Sequence, residues 1–257
     1  MVLERLAASP HRPALVVTRP DRPKGRGRRV QPPPVAIRAR ELGLDVIQPE
    51  RLHEPEPLAA IAATAPEALC VCAYGVLIKE PLLSAYEMLN VHPSLLPRWR
   101  GAAPVERAIM AGDRETGVTI HRTTAELDAG PIAAEQAFPI GPEDDAGAVY
   151  ARAAPLAAEL LERVLAKPQF APQPEEGATY AEKITADDRR LDWSAPAQEI
   201  VDRVRALSPH IGARAELEGR PVIVWRARVE DGRAVPVEVQ PEGKRRMTYE
   251  EFLRGLR

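Results

Sequence analysis

The sequence has little sulfur and almost no net charge. Its only two cysteines, Cys70 and Cys72, lie two positions apart in ALCVCAYG. This spacing points both thiols to the same side of a strand and offers no wider loop of ligands. We therefore interpret them as buried structural thiols and not as a metal or redox centre. With a net charge of −2, affinity for a polyanion would need a local cluster of cations.

Long apolar runs are also absent. Hydrophobic residues make up 45% and charged residues 28% of the chain, and no stretch approaches the roughly 20 apolar residues of a membrane-spanning helix. The first ten residues, MVLERLAASP, indicate an amphipathic helix and not a secretion signal. We therefore expect a cytoplasmic protein, and 257 residues suffice for a large and a small domain.

The first two thirds of the chain alternate between strand-like and helix-like segments. Short β-rich runs such as PALVVT, DVIQP, EALCVCAYG and MLNVH precede the long helix AGAVYARAAPLAAELLERVLA, in which Pro155 indicates a break or kink. This alternation predicts an α/β fold, a Rossmann-like doubly wound and mostly parallel sheet. Such sheets bind ligands at the carboxyl ends of their strands.

A second region follows a change in composition. KPQFAPQPEEGATYAEK indicates a linker, and beyond it three β-like runs are separated by the turn sequences EG and EDG. These runs predict a small β-rich domain. We expect a first domain over 1–167, a linker over 168–187 and a second domain over 188–257.

The segment 19–29, RPDRPKGRGRR, concentrates positive charge in an otherwise balanced chain. It holds one acid, Asp21, and six cations, namely Arg19, Arg22, Lys24, Arg26, Arg28 and Arg29. Its glycines and prolines exclude a regular helix. Two interpretations stay open, a solvated basic loop and a contact with nucleic-acid phosphates.

The same segment contains GRGRRV, which is similar to the start of a dinucleotide-binding fingerprint. Val30 stands where the third glycine belongs, and three prolines follow in place of a helix. We therefore expect no NAD site.

Asn90 and His92 form the strongest candidate site. On the strand MLNVH they project to one side while Val91 projects to the other. Asp128 lies in ELDAG after the next strand, where a parallel sheet could place it beside His92. Taken alone, an asparagine and a histidine at a strand end are more often structural.

The chemistry of this set nevertheless suits acyl transfer between two nitrogen atoms, with no serine or cysteine nucleophile nearby. Asn90 and protonated His92 can stabilise an oxyanion, and His92 with Asp128 can pass a proton to the departing nitrogen. Three other residues have less specific interpretations. We expect His121 to line a site or be exposed, Trp99 either to pack its loop or to stack on a nucleotide, and Trp225 to lie in the core of the small domain.

The segments NVHPSLLPRWRGAAP and GDRETGVTIHRTTAELDAGPI together resemble the folate-dependent formyltransferases, and most closely the methionyl-tRNA formyltransferases. The Asn-x-His-Pro-Ser-Leu-Leu-Pro block and the later Leu-Asp-x-Gly are shared across that superfamily. Arg-Trp-Arg-Gly-Ala-Ala-Pro and TRPDRPKGRGRR are typical of the tRNA branch. TYAEKITADDRRLDWS and VQPEGKRRM resemble that branch's linker and C-terminal domain, so the resemblance extends over nearly the whole chain.

The resemblance implies a function and a set of site residues. It implies transfer of a formyl group from 10-formyltetrahydrofolate to methionyl initiator tRNA by a Rossmann-like domain and a small OB-like domain. We expect a monomer that uses no metal and no NAD. The implied catalytic residues are Asn90, His92 and Asp128, and the basic segment would enter the tRNA acceptor arm. The implied folate contacts are Ser94, Leu95, Leu96 and Pro97, with Tyr74 and Gly75 either lining the pocket or forming a plain turn.

The sequence departs from this family in two places. The family opens with a strand and a Gly-Thr-Pro-x-Phe loop before its first helix, whereas Met1 lies inside that helix, so we expect one interior strand to be missing. The stretch from Trp225 to VQPEGKRRM is shorter than in the family, so we expect a reduced barrel.

Three alternatives therefore stay open, formylation of an amino sugar, formylation of glycinamide ribonucleotide, and a non-catalytic tRNA-binding remnant. The basic segment and the C-terminal domain favour tRNA over the other two substrates.

Overall fold

The structure, a computed structural model, describes residues 1–24 and 29–256. Three of its helices begin with a proline in the first turn. Backbone N–H groups in the first turn have no acceptor within the helix, so proline, which lacks this group, is tolerated there. The long helix continues through Pro155, so the break expected there is not formed. The helices are α1 Val2–Ala7, α2 Pro34–Glu41, α3 Pro55–Ala63, α4 Leu82–Ala85, α5 Pro104–Met110, α6 Ala146–Ala166, α7 Ala197–Leu207 and α8 Tyr249–Arg254.

The strands are mostly short in the first half of the chain and longer near its end. They are β1 Leu15–Val17, β2 Arg22–Lys24, β3 Arg29–Gln31, β4 Asp45–Ile47, β5 Ala68–Cys72, β6 Glu87–His92, β7 Arg100–Gly101, β8 Glu115–Arg122, β9 Ile132–Pro139, β10 Tyr180–Ala181, β11 Ala213–Leu217, β12 Arg220–Glu230, β13 Arg233–Pro241 and β14 Met247–Thr248. The sequence had not indicated β9.

The chain forms two compact units. The first is built from Met1–His92, Val118–Glu135 and Ala154–Gln173. The second is built from Pro93–Gly117, Gln136–Ala153 and the chain from Pro174 onward.

The sheets formed by β1, β4, β5, β6, β8 and β9 include parallel pairs. Strand β1 pairs with β4 in parallel, and a separate four-stranded sheet has the order β5-β6-β8-β9, in which β5 and β6 are parallel. The predicted α/β class, with a parallel-rich sheet and a small β-rich domain after it, is confirmed. One pair differs from the expectation, because β6 and β8 are antiparallel. An antiparallel neighbour starts where the previous strand ends, so the chain between β6 and β8 need not cross over the sheet.

Side chains of β1 point alternately into two hydrophobic clusters. Val16 packs with Ala39 and Leu44 on one side. Leu15 and Val17 pack on the other side against a second cluster, which contains Leu52, Ile61, Leu82 and Met88. Helices therefore cover both faces of this strand, as a doubly wound arrangement requires.

The two cysteines are exposed, contrary to the expectation of buried thiols. They lie on the face of β5 opposite to Leu69 and Val71, whose side chains pack against a hydrophobic cluster. Surrounding protein atoms still desolvate the thiols, and this raises the pKa of Cys70 to about 11. Cys70 is therefore a thiol and not a thiolate at neutral pH.

The C-terminal part of the second unit is an antiparallel sheet with the order β11-β12-β13-β14. Its first two hairpins turn at Glu218-Gly219 and Asp231-Gly232, and all four residues have positive φ, between 49° and 74°. Such two-residue turns match the twist of antiparallel strands. Helix α7 covers the sheet through Val204 and Leu207. Trp225 is 7% exposed, which confirms its expected place in this core.

Candidate active site

One face of the β6–β8 pair is polar and the other is apolar. The antiparallel register places Asn90 opposite His121 and His92 opposite Thr119, so these four side chains share a face. Val91 and the residue opposite it, Ile120, share the other face. Because side chains alternate along a strand, a shift of the pairing by one residue would exchange the side chains of the candidate site with those of the core.

Asp128 comes to this polar face from the loop between β8 and β9. The amide nitrogen Nδ2 of Asn90 donates to Oδ1 of Asp128 over 3.2 Å. The second carboxylate oxygen of Asp128 lies 3.7 Å from Nδ1 of His92, which is within ion-pair range. The structure thus brings together Asn90, His92 and Asp128 within the first unit, although their roles stay a prediction.

His121 is a fourth member of the cluster. Its Nδ1 lies 2.9 Å from the Arg122 carbonyl oxygen, which can only accept, so we assign the proton to Nδ1. Its other ring nitrogen, Nε2, lies 3.1 Å from Asn90 Nδ2 and 3.5 Å from Asp128 Oδ1. We assign Nε2 as the acceptor of the second Asn90 amide hydrogen.

The sequence did not indicate this role for His121, which we expected to be a lining or exposed residue. The side chain is 1% exposed and contacts two of the predicted catalytic residues. The signal that could have found it is its position two residues after Thr119 on an alternating strand. That signal is useful only once the antiparallel register with β6 is known.

The side chains of the cluster are largely shielded from solvent. His92 is 3% exposed, and the Asp128 side chain is 13% exposed. Hydrogen bonds and ion pairs are stronger in such surroundings than in water. The cluster therefore offers a preorganised set of polar groups to a reacting carbonyl group.

Two local features fix the loop that carries Asp128. Asp128 adopts a φ of 48°, in the left-handed region that residues with a Cβ rarely occupy. A methyl group at Gly130 would overlap the carbonyl oxygen of Arg122. The Leu-Asp-x-Gly sequence is thus explained by a close backbone approach that only glycine permits.

Tyr74 and Gly75, the first pair of candidate folate contacts, follow β5 in the first unit. The carbonyl oxygen of Tyr74 accepts a hydrogen bond from Nε of Arg19 over 2.9 Å. Desolvation raises the pKa of Tyr74, and the nearby Arg19 partly offsets this effect. Gly75 has a φ of 65° and forms the turn after the strand.

The second set of candidate folate contacts lies in the second unit. Ser94 is fully buried, and its hydroxyl group donates to the Arg98 carbonyl oxygen over 2.7 Å. Leu96 is 4% exposed, whereas Leu95 and Pro97 are half-buried. The Ser94 hydroxyl therefore fixes the turn of its own loop.

The basic segment includes an antiparallel hairpin of β2 and β3, in which Lys24 pairs with Arg29 and Arg22 with Gln31. Arg22 and Arg29 are exposed. Arg19 is also exposed, but its guanidinium group is held on the Tyr74 carbonyl. Two predicted contacts, Arg26 and Arg28, lie outside the described residues.

Trp99 packs its own loop. Its indole nitrogen donates to Asp113 over 2.8 Å, and the Arg98 guanidinium lies 4.4 Å from the centre of the indole ring. Its backbone N–H donates to the hydroxyl of Thr179 over 2.9 Å. Of the two interpretations that the sequence left open, these contacts support packing.

Comparison with known families decides what kind of protein this is. The Formyl transferase family model matches residues 2–165, and the Formyl transferase, C-terminal domain model matches residues 183–236. The chain belongs to the formyl transferase family.

Individual relatives agree with this assignment. A curated methionyl-tRNA formyltransferase from Methylococcus capsulatus is 42% identical, over 98% of this formyl transferase and 91% of the relative. A solved methionyl-tRNA formyltransferase from Clostridium thermocellum has a TM-score of 0.62 and 17% identity, over 77% of this chain and 86% of that one. HypX from Aquifex aeolicus, solved with tetrahydrofolic acid, has a TM-score of 0.64 and 20% identity, over 84% of this chain and 43% of that one.

Membership of this family makes the chain a formyl-transferring enzyme. The solved structures named above have a similar fold. Among residues 1–24 and 29–256, no group of three or more His, Cys, Asp or Glu side chains could hold a metal ion. None of the helices in these ranges has the length and apolar composition that a bilayer span requires.

Proposed function

We propose that this formyl transferase moves the formyl group of 10-formyltetrahydrofolate to the α-amino group of methionyl initiator tRNA. The observation that carries the proposal is the cluster of Asn90, His92, His121 and Asp128, in which both histidines are buried and the other two residues are half-buried. The 42% identity to a methionyl-tRNA formyltransferase over nearly both full lengths supports the choice of acceptor.

The cluster fits a folate formyl donor, because two polar side chains and a carboxylate converge where a carbonyl oxygen would need stabilising. Bound 10-formyltetrahydrofolate would supply the formyl group. We propose that Tyr74 and Gly75, in the first unit, contact it. The contacts of Ser94, Leu95, Leu96 and Pro97 stay an expectation from the family resemblance.

In the proposed reaction, the methionyl amine forms a bond to the formyl carbon, and the bond from that carbon to the folate nitrogen breaks. An α-amine has a pKa near 8, so much of it is neutral and nucleophilic at working pH. Asn90 and protonated His92 donate to the formyl oxygen while negative charge develops there. Asp128 keeps His92 oriented and protonated. His92 delivers its proton to the departing folate nitrogen and takes up the proton that the attacking amine loses, so the transfer is balanced and His92 is regenerated.

Asn90 must change partners during this step. Both hydrogens of its amide group are directed at acceptors, Asp128 Oδ1 and His121 Nε2. A formyl oxygen that receives one of them replaces one of these acceptors. We propose that it replaces Asp128 Oδ1, so that His121 Nε2 keeps the amide in its orientation and His121 is part of the proposed site.

The exposed arginines of the β2–β3 hairpin support tRNA as the acceptor. Arg22 and Arg29 are cationic and exposed on one hairpin, as phosphate contacts require. We propose that this hairpin, with Arg19, Lys24, Arg26 and Arg28, approaches the acceptor arm. The small antiparallel domain would add a second RNA contact.

The proposal includes the organisation of the chain. We place the catalytic domain at 1–167, a linker at 168–187 and an OB-like RNA-binding domain at 188–257, acting as a monomer. Because charged initiator tRNA is used by cytoplasmic ribosomes, the enzyme would work in the cytoplasm.

The test is a substrate panel with the purified chain and 10-formyltetrahydrofolate. The acceptors are methionyl initiator tRNA, methionyl elongator tRNA, a nucleotide-linked amino sugar and glycinamide ribonucleotide. We expect formylmethionyl-tRNA, detected by mass spectrometry, from the initiator tRNA alone. Formylation of the sugar or of glycinamide ribonucleotide in preference to tRNA would overturn the acceptor. Binding of tRNA with no formylation of any acceptor would point to a non-catalytic protein.

A further inference from the structure

We propose that Gln173 is a positioning residue for Asp128, an inference that rests on the proposed formyl transfer. The side-chain nitrogen Nε2 of Gln173 donates to the carbonyl oxygen of Asp128 over 3.0 Å and to that of Gly130 over 2.9 Å. An amide nitrogen carries two hydrogens. Both are used on the backbone that flanks Ala129, within the loop that presents the carboxylate.

The Asp128 loop needs such a restraint because its backbone is in an uncommon conformation. A φ of 48° is rarely adopted by a residue with a Cβ and persists where surrounding contacts enforce it. Within the turn, the Ala129 N–H and the Glu126 carbonyl oxygen are 3.5 Å apart, a long and weak bond. The bonds from Gln173 are therefore the stronger restraint on the peptide groups that orient Asp128.

The orientation of Asp128 matters because its two carboxylate oxygens have different partners. Oδ1 faces Asn90 and His121, and Oδ2 faces His92. A rotation of the loop backbone would shift both contacts at once. Gln173 thus acts on the reaction through Asp128.

Gln173 reaches the loop from a segment that is itself anchored. Ala171 and Ile132 exchange two backbone hydrogen bonds of 2.9 Å. The Arg122 guanidinium lies 4.1 Å from the centre of the Phe170 ring. The start of the predicted linker is therefore attached to the strands on either side of the Asp128 loop, and the next residue, Pro174, begins the second compact unit.

The geometry makes a specific demand on residue 173, since it faces two acceptors and must donate. Gln173→Met keeps a side chain of similar length but removes both donors. Gln173→Glu places an ionised carboxylate against two carbonyl oxygens, which is repulsive. Gln198→Met is the matched control, because the Gln198 amide donates to Asp202 on its own helix α7.

Steady-state kinetics of the full chain with 10-formyltetrahydrofolate and methionyl initiator tRNA give the first readout. We expect Gln173→Met to lower kcat by about 10-fold or more, because small displacements of a catalytic group are costly. KM for both substrates should stay within about twofold, since neither substrate is held by Gln173. Gln198→Met should keep the kcat of the wild type.

The pH dependence of Gln173→Glu gives a readout that a merely structural role would not change. Once protonated, the introduced acid can donate one hydrogen bond to a carbonyl oxygen. Its kcat, divided by the wild-type kcat at the same pH, should therefore rise as the pH falls. The corresponding ratio for Gln173→Met should be independent of pH. Two parallel ratios would overturn the donor role.

Hydrogen–deuterium exchange separates this inference from the proposed function. In Gln173→Met, but not in Gln198→Met, the peptide that contains residues 123–131 should exchange faster. Unchanged exchange would overturn the proposal whatever the activity, and faster exchange with an unchanged kcat would overturn the positioning role. A wild-type chain that formylates no tRNA would overturn the proposed function, while the exchange comparison would still decide whether Gln173 holds the loop.

Discussion

Asn90 and Asp128 are 38 residues apart in the sequence, yet the Asn90 side-chain amide donates to the Asp128 carboxylate over 3.2 Å. The contact exists because β8 returns antiparallel to β6 and its following loop folds back over the same polar face. The same amide nitrogen also faces His121 Nε2 at 3.1 Å. Asn90 thus links His121 to the carboxylate, and the other carboxylate oxygen of Asp128 faces His92.

The three predicted catalytic residues should act as one unit. We expect Asn90→Ala to lower kcat for formyl transfer by about 10² to 10³, because it removes a donor to the developing oxyanion. The double variant His92→Ala/Asp128→Ala should lose little more activity than the more affected single variant. Single-turnover kinetics with prebound tRNA check both statements. Full additivity of the two single effects would show that His92 and Asp128 act independently.

Replacing His121 should affect both stability and turnover. His121→Leu leaves the buried Arg122 carbonyl oxygen without this donor, at a cost of about 1–3 kcal/mol in the free energy of unfolding. It also removes one of the two acceptors that orient Asn90, so kcat should fall by about 10-fold. Urea unfolding and steady-state kinetics measure the two effects. His210→Leu, at an exposed position, is the control and should change neither.

The exposed arginines of the hairpin should determine how tRNA binding responds to salt. Arg22→Gln and Arg29→Gln each remove one proposed phosphate partner, and each should flatten the plot of log affinity against log salt by about 0.7 to 0.9. Fluorescence titrations of initiator tRNA at several salt concentrations give the slopes. Arg51→Gln is the matched control, because Arg51 is exposed and pairs only with the nearby Glu54 among its described ion pairs. If the variant that carries both Arg22→Gln and Arg29→Gln had the same salt slope as the wild type, the hairpin would not be part of the tRNA interface.

The ion pair between Arg107 and Asp188 should make the stability of the second unit depend on pH in the acidic range. The two guanidinium nitrogens lie 2.8 and 2.9 Å from the two carboxylate oxygens. The Arg107 guanidinium, aided by bonds from Thr185, holds the pKa of Asp188 well below its usual value of 3.8. Because the folded-state pKa is depressed, the stabilisation is present above the unfolded-state pKa and is lost as the pH falls toward the folded-state pKa.

Asp188→Asn is the variant that tests this ion pair. It should lower the free energy of unfolding by about 1.5–3 kcal/mol at pH 7, as expected for hydrogen bonds to a charged group. The difference from the wild type should shrink as the pH falls below about 4. Thermal unfolding across this pH range measures it. Asp187→Asn is the neighbouring control, since its side chain is 87% exposed and lies 3.7 Å from Arg190. A difference that is constant with pH would contradict the assigned cause.

Local patterns in the sequence were sufficient for much of the fold and for part of the site. The alternation of Asn90, Val91 and His92 predicted their opposite faces, because the side-chain period of a strand is fixed by its backbone. The turns at Glu218-Gly219 and Asp231-Gly232 were equally predictable, since each contains a glycine, which adopts positive φ without steric cost. The motifs around Asn90 and Asp128 indicated the family that the comparisons then identified.

Only the tertiary structure decided the rest, because it depends on which strands become neighbours. Strand β9 has the sequence IAAEQAFP, which has few β-favouring residues, and it is extended because β8 offers it a pairing edge. Cys70 and Cys72 are exposed because the core covers the other face of β5, that of Leu69 and Val71. His121 joins Asn90 because β6 and β8 are antiparallel in one particular register, and Gln173 reaches Asp128 across 45 residues of sequence. Local propensity and side-chain period do not specify strand order, register or contacts between distant loops, since these follow from the packing of the whole chain.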